Sequence, residues 1–542
     1  MHVLGPIVGD MEEVKPGGAY TFNLQGMEFA VGGRHLEPPV ENHRREPSGA
    51  ILLQAPVSTR HRLLAVLATL IAAPSAQAGP LDDAHVADTG FSGPTTGDLT
   101  AVYWNPAGLG LMQGPQIMIG GAWQSTSVSL ARTSIDPSTG ANPGATSFPN
   151  ASGSGTLQPF RWPPGPSGFF AIGAGIGRRF GIALALYSPF SSKLTMTPTA
   201  DGQEPARYHL VSMELNHIAT AIGLAIHASD SIQIGVAPGL LWPTAHLVFD
   251  EDTALGSTTL GSENPTAAAR YDLATKGIVV PSYFLAVGAH YRHGRLDVGL
   301  SYTSSPLGTS GAVNLPLDNV QIGLPKNLAG GTGLCPSTNS DCLVGQMSYR
   351  LPSIYNLGAK WQVAKNWYVS GIVRWLRYGD HDKITILVAG PATQTVLGSS
   401  VPDHVVLYRG FQDSFDLRGR VVYETKQFRI GGTLRLETSA VPASHVNAAA
   451  IDGPKLEPSL AADMRIWRQI RLSAGYAFTW MFPVDTGASV FDPTAASVCA
   501  SAGGNLSTPA CQARMNGQAR PSAAGTYHLW RQTLSVLTTF GF

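Results

Sequence analysis

Charge is what this 542-residue chain has least of. Asp, Glu, Lys and Arg together make up 13%, about half of the roughly 25% ordinary in a soluble domain. The 36 basic and 36 acidic side chains cancel, so there is no basic surplus for nucleic acid, whose phosphates demand one. Long apolar runs are missing too. No stretch reaches the ~18 residues that a membrane-crossing helix needs, although hydrophobic residues make up 44%. Nor is there a nucleophile–base arrangement, a metal-ligand spacing or a phosphate loop, which speaks against an enzyme and against any cofactor. A chain poor in charge and without a helical span suits a transmembrane β-barrel, whose strands carry only alternating hydrophobicity.

The longest apolar run is Leu63–Ala73, preceded by Arg60 and Arg62 and followed by Ala76-Gln77-Ala78. A basic flank, a short apolar core and an A-x-A exit describe a secretory signal peptide over residues 57–78. Cleavage after Ala78 leaves Gly79 first in a mature chain of 542 − 78 = 464 residues. Residues 1–56 are Pro-rich and polar, and read as an over-extended gene start from Val57 or as an unstructured extension.

From residue 115 onward the sequence returns repeatedly to period-2 alternation. Ile470, Leu472, Ala474, Tyr476, Phe478 and Trp480 face Arg471, Ser473, Gly475, Ala477 and Thr479 across one strand. Phe428, Ile430, Leu434 and Leu436 alternate with Arg429, Thr433, Arg435 and Glu437. Leu296, Val298, Leu300 and Tyr302 do so with Asp297, Gly299, Ser301 and Thr303. A soluble sandwich also alternates. Here, though, an aromatic-tipped, nearly chargeless face recurs on strand after strand, as a lipid-facing wall requires.

Fourteen strands are expected, at about 115–126, 168–177, 180–190, 207–228, 231–249, 276–292, 295–305, 346–363, 367–379, 411–424, 427–438, 456–468, 470–480 and 527–542. The even count is the bacterial one, and very short connections alternate with long ones, the latter on the extracellular side. The fold class is therefore all-β: a 14-stranded antiparallel transmembrane barrel over 115–542. Cys335 and Cys342 fall in one long loop, Cys499 and Cys511 in another. Two close pairs behind a secretion signal read as two local disulfides, with a metal site as the alternative. The chain ends in Leu534, Val536, Thr538, Phe540 and Phe542, alternating with smaller or polar residues. A terminal aromatic on a last strand resembles the signal read by the outer-membrane barrel-insertion machinery.

Residues 79–114 do not alternate, and are long enough to fold into the lumen as a hatch. At their centre stand Tyr103-Trp104 and then Asn105-Pro106-Ala107-Gly108-Leu109. Taken alone, such a motif is a tight turn. Ahead of fourteen strands it resembles the N-terminal hatch of the FadL-type (FadL/TodX-like) outer-membrane transporters, which carry Asn-Pro-Ala before the first strand. Tyr187-Ser188-Pro189-Phe190, Leu285–Ser305, Leu351-Pro352-Ser353 and Leu357-Gly358-Ala359 with Trp367 are similar to later family segments. The likeness thus runs over essentially all of 79–542.

The resemblance implies a monomer in the outer membrane, among lipid and lipopolysaccharide, that passes hydrophobic small molecules. Long-chain fatty acids come first, with aromatic hydrocarbons as the alternative. It also implies the route: capture among outer loops, hatch movement, and release sideways through the wall. Loop 306–345 is unusually apolar, with Val313, Leu315, Leu317, Val320, Ile322 and Leu324. An exposed apolar patch marks a binding site; packing of these residues on one another or on the hatch is the other reading. The lumen-facing charges Arg429, Arg435, Glu437, Asp463, Arg465 and Arg471 either hold a ligand carboxylate or form ion pairs that tie hatch to wall. A general hydrophilic porin is the rival from another class, against which the hatch and the apolar loop both speak.

Overall fold

The computed structural model describes residues 20–24, 27–31, 85–88, 90–132, 154–156, 168–177, 179–196, 206–252, 268–275, 280–306, 312–323, 343–389, 395–396, 399–400, 402–505 and 507–542. The chain divides into two units, 1–72 and 73–542. In the first, Tyr20–Leu24 and Met27–Val31 pair as a hairpin. The 57–78 segment lies outside the described residues.

The second unit is a closed barrel. Its ring consists of β1 (Gly114–Arg132), β2 (Phe169–Ile176), β3 (Phe180–Tyr187), β4 (Ser212–His227), β5 (Ile232–Asp252), β6 (Ser282–His293) and β7 (Leu296–Thr303). It continues with β8 (Ile354–Ala364), β9 (Trp367–Leu376), β10 (Ser414–Glu424), β11 (Phe428–Glu437), β12 (Lys455–Arg465), β13 (Ile470–Thr486) and β14 (Gly525–Gly541). Each pairs antiparallel with the next, and β14 closes on β1 in unbroken register from Gly525↔Arg132 to Gly541↔Gln116. All fourteen expected strands are present. Short turns mark one rim, the periplasmic one by the general rule, and the long connections gather at the other.

Alternation sorts side chains as the sequence predicts. Tyr476, Phe478 and Trp480 of β13 are exposed to the lipid side, while Ser473, Ala477 and Thr479 are buried inside. Ile430, Leu434 and Leu436 of β11 point outward, with Arg435 and Glu437 inward. A lipid-facing apolar row on one side and a polar or small row on the other follow from the two-residue repeat of a strand.

The long connections are less loop-like than the sequence suggested. β5 runs for 21 residues, about twice the 9–11 that a tilted strand needs to cross a bilayer. Its outer third, His246–Asp252, carries a further sheet. Ala268–Ala274 pairs with it, followed in order by Val313–Gly323, Leu343–Tyr349, Lys383–Val388 and His404–Tyr408. This cap continues the barrel wall beyond the membrane. The expected loop 306–345 thus contains a strand, and the expected strand 346–363 is two, parted at 350–353.

Candidate functional site

The segment ahead of β1 lies inside the ring. Residues Ala101–Trp104 make one helical turn, and Pro106–Leu111 a 3₁₀ helix entered through Asn105. Asn105 is completely buried. Its Nδ2 donates to Pro94 O at 2.8 Å and to Ala289 O of β6 at 3.0 Å, while its Oδ1 accepts from Ala107 N at 3.2 Å. One side chain thereby closes the turn, ties it to the preceding loop and fixes both to the wall. Pro106 suits the first helical position, where its missing N–H costs nothing.

Glycines let this happen. A Cβ on Gly288 of β6 would collide with Asn105 Oδ1, on Gly299 of β7 with Pro94 O, and on Gly235 of β5 with the Pro106–Ala107 peptide. Gly181 of β3 and Gly175 of β2 receive the carbonyls of Leu109 and Met112 in the same way. At these five positions the wall carries no side chain, so the seated segment comes close to wall backbone, while Ser301 and His227 bond to its carbonyls at Trp104 and Gly110.

The opposite wall grips by charge. Trp104, with no exposure, has the guanidinium groups of Arg374 and Arg418 at 4.9 and 5.1 Å from its ring. Arg374 also donates to Tyr103 Oη at 3.0 Å. Asp88 pairs with Arg418 at 3.2 Å, His85 with Glu457 at 3.5 Å, and Arg420 donates to Ser92 O. Behind them Asp416 holds Arg418 at 2.7 Å and Arg435 at 2.9 Å, and Arg435 reaches Glu437 and Glu457. Asp463 takes Arg429 at 2.7 Å and Arg471 at 2.8 Å, and Arg429 covers the Phe91 ring. Of the six lumen charges singled out in the sequence, five pair with one another or with neighbouring wall residues; Arg465 is exposed and outside the network. Asp416, Arg418 and Arg420 were legible as an inward row between Phe415, Leu417 and Val421. Arg374, between Val373 and Trp375, and Glu457, between Leu456 and Pro458, stand in the same kind of inward row.

Above this layer the lumen is apolar. Val313, Leu315, Leu317, Val320 and Ile322 are all buried, in one cluster with Phe249, Tyr271, Leu273, Met347 and Leu407. They belong to a cap strand and not to an exposed loop patch: their alternation turns them inward, and a bulge between Leu317 and Val320 keeps the face. Leu324, Cys335 and Cys342 lie outside the described residues. Cys499 and Cys511 form the expected disulfide.

One charge in the apolar layer stands apart. Arg409 is buried, donating to Ala449 O at 2.7 Å and touching Met213 Sδ, and its Nε has no hydrogen-bond partner. No carboxylate pairs with it among the described residues. Burial and nearby Arg520 push its pKa down to about 10, which leaves it charged at neutral pH. His209 beside it is held well below the ordinary histidine range by burial, Arg132 and Arg520. His381 is pushed down to about 3 by burial and Arg409. Both are therefore neutral, and of the two arginines here Arg520 has Glu251 as its carboxylate, while Arg409 has none among the described residues. Nothing local in the sequence marked it.

On the outer face of the cap, Val344, Gly345, Gln346, Leu387, Val388 and His404 line an open apolar groove of about 440 Å³. The barrel wall is also interrupted. β3 pairs with β4 up to Tyr187↔Ala219, and pairing resumes only at Ser192↔Leu215. Between them Pro189 turns the chain, and Ser191 Oγ accepts from His217 N at 3.0 Å.

A fourteen-stranded antiparallel barrel with a glycine-seated segment in its lumen and an apolar chamber above it defines an outer-membrane transport barrel. The chain matches the model of the outer membrane protein transport protein family (OMPP1/FadL/TodX) over residues 67–525, and belongs to that family. It serves transport of hydrophobic compounds across the outer membrane. Among solved structures it is similar to a FadL homologue of Pseudomonas aeruginosa at 13% identity, with 87% of this chain and 100% of that one covered and a TM-score of 0.60. It is also similar to the Pseudomonas putida toluene transporter TodX, at 13% identity, 86% and 98% coverage and a TM-score of 0.54. These likenesses show the fold. No curated protein matches the chain.

Proposed function

We propose that this protein carries long-chain fatty acids inward across the outer membrane. Arg409 carries this reading: a buried guanidinium without a carboxylate, set in an apolar chamber, has the chemistry for one carboxylate head and a hydrocarbon tail. Val313, Leu315, Leu317, Val320 and Ile322 then contribute apolar wall, and the groove at Val344 and Leu387 is the outer capture surface. The interrupted pairing at Ser188–Ser191 supports sideways release, which spares an apolar ligand an aqueous channel. Residues 79–114 act as the hatch, after a signal peptide cleaved at Ala78. The carboxy-terminal Phe542 engages the insertion machinery of a lipopolysaccharide-bearing membrane, where the barrel works as a monomer.

The second reading is uptake of aromatic hydrocarbons. It is favoured by the likeness to two toluene transporters, TodX and, from Ralstonia pickettii, TbuX. Binding of oleate and of toluene to the detergent-extracted protein separates the two. Arg409→Gln is expected to weaken oleate by roughly tenfold or more, the worth of a charged hydrogen bond, and to leave toluene unchanged. Wild-type protein that binds toluene but not oleate would exclude the fatty-acid reading.

A further inference from the structure

The connection between β13 and β14 covers the outer end of the chamber. Residues 495–501 and 509–515 form two short helices, stapled by Cys499–Cys511. The base of this excursion is drawn together by Asp492 N donating to Gln518 O at 2.9 Å. On one flank Phe491, buried, packs on His209 with ring centres 4.6 Å apart. On the other, Arg520 donates to Tyr208 O at 2.7 Å and pairs with Glu251 at 2.5 Å. Phe491 and Arg520 together with Arg409, His209, Leu407 and Asn447 enclose a pocket with room for no more than a single water. Arg409 is therefore covered here, and two of the pocket's lining residues belong to this connection.

We propose that the stapled connection 487–524 is the extracellular lid of the Arg409 chamber, latched to the cap by the Arg520–Glu251 ion pair. Most of the lid's contacts with the rest of the protein are polar and lie on its flanks. Besides the latch, the Phe491–His209 ring contact and Arg520 on Tyr208 O and the Phe249 ring, they include Val490 N to Ser444 O, His209 to Pro521 O and Arg132 to Ser522 O. Below it the β13–β14 ladder is broken once, by a bulge between Met481 and Val484, and pairs again up to Thr486↔Gly525, while β14 pairs with β1 without a break, so opening need not disturb the wall. The disulfide, internal to the lid, lets the two helices move as one piece. An entering ligand meets the latch before it meets Arg409. The proposal rests on the reading of Arg409 as the ligand anchor.

Amide hydrogen exchange on the whole protein tests the lid without any ligand. Glu251→Gln and Arg520→Gln should each speed exchange in 487–494 and 517–524 by roughly tenfold, the value of one charge-assisted hydrogen bond. The amides of β13 and β14 should keep their rates. With oleate, Glu251→Gln should raise both association and dissociation rates and keep Kd within about threefold, whereas Arg409→Gln raises Kd. Cys499→Ser with Cys511→Ser should free the helices while the flanks stay protected. Unchanged protection of both flanks in Glu251→Gln and in Arg520→Gln would overturn the lid. Flanks that loosen in a protein that binds no oleate would uphold the lid and reject the fatty-acid reading.

Discussion

At the scale of single residues, Asn105 shows how a motif earns its place. Proline and glycine around it suffice for a turn, and the sequence offered that bland reading. The structure gives the asparagine two donors' worth of carbonyls to satisfy, Pro94 O and Ala289 O, and one N–H to receive. Only an amide supplies both kinds of group from one buried position. Asn105→Ala should cost the seated segment roughly 1–3 kcal/mol, the price of buried groups left unmade. Asn105→Asp should be worse, because a carboxylate oxygen would face two carbonyls. Faster amide exchange over residues 93–112, in that order of severity, checks this. Equal behaviour of the two variants would mean that the side chain merely fills space. The residue-level features that the sequence hid have a common cause. Arg409 and Glu251 matter for what surrounds them, and their neighbours come from distant parts of the chain.

At the scale of elements, the membrane-spanning strands were legible because lipid imposes a strict rule. Every second residue of β11 or β13 must be apolar, with no partner sheet to excuse an exception. The cap strands obey a weaker rule. Val313, Leu315 and Leu317 alternate, but Pro316 stands between them and Asp318-Asn319 breaks the run before Val320. Proline reads as a loop or an edge, yet here it occupies an exposed position opposite Gln346 and the ladder passes it. The cap also hangs from β5, far from these residues in sequence, so no local pattern announces its sheet. A consequence is that the cap can be damaged alone. Leu317→Ala, at a site only 1% exposed, should cost about 2–5 kcal/mol of local packing. Uptake of a hydrophobic substrate should fall while the protein still migrates as a heat-modifiable barrel. Loss of heat-modifiability would show that cap and ring fold as one cooperative piece.

At the scale of the whole molecule, the lumen is divided in kind. From β2 to β7 the wall uses glycines to bring backbone against the seated segment, with Ser301 and His227 adding side-chain hydrogen bonds to its carbonyls. From β9 to β12 it grips the same segment through Arg374, Arg418, Arg420 and Glu457. A ring of fourteen strands is too wide for wall side chains alone to fill, so this wall leaves a space that something else must occupy. That arrangement separates a hydrophobic-compound transporter from an open porin. The intact protein should therefore pass ions poorly in planar bilayers. Removing residues 79–114 should uncover the glycine-lined wall and leave Arg374, Arg418 and Arg435 facing water, giving a wide pore that favours anions. The surplus is local: once Asp88 had gone, Arg374, Arg418, Arg420, Arg435 and Arg531 would stand against Asp416, Glu437 and Glu457. Arg418→Gln in the full-length protein should give a smaller leak, because Asp88 loses its partner but Asn105 still holds the segment to β6. An intact protein that already conducts like an open porin, and does not change on deletion, would leave the transport reading without support.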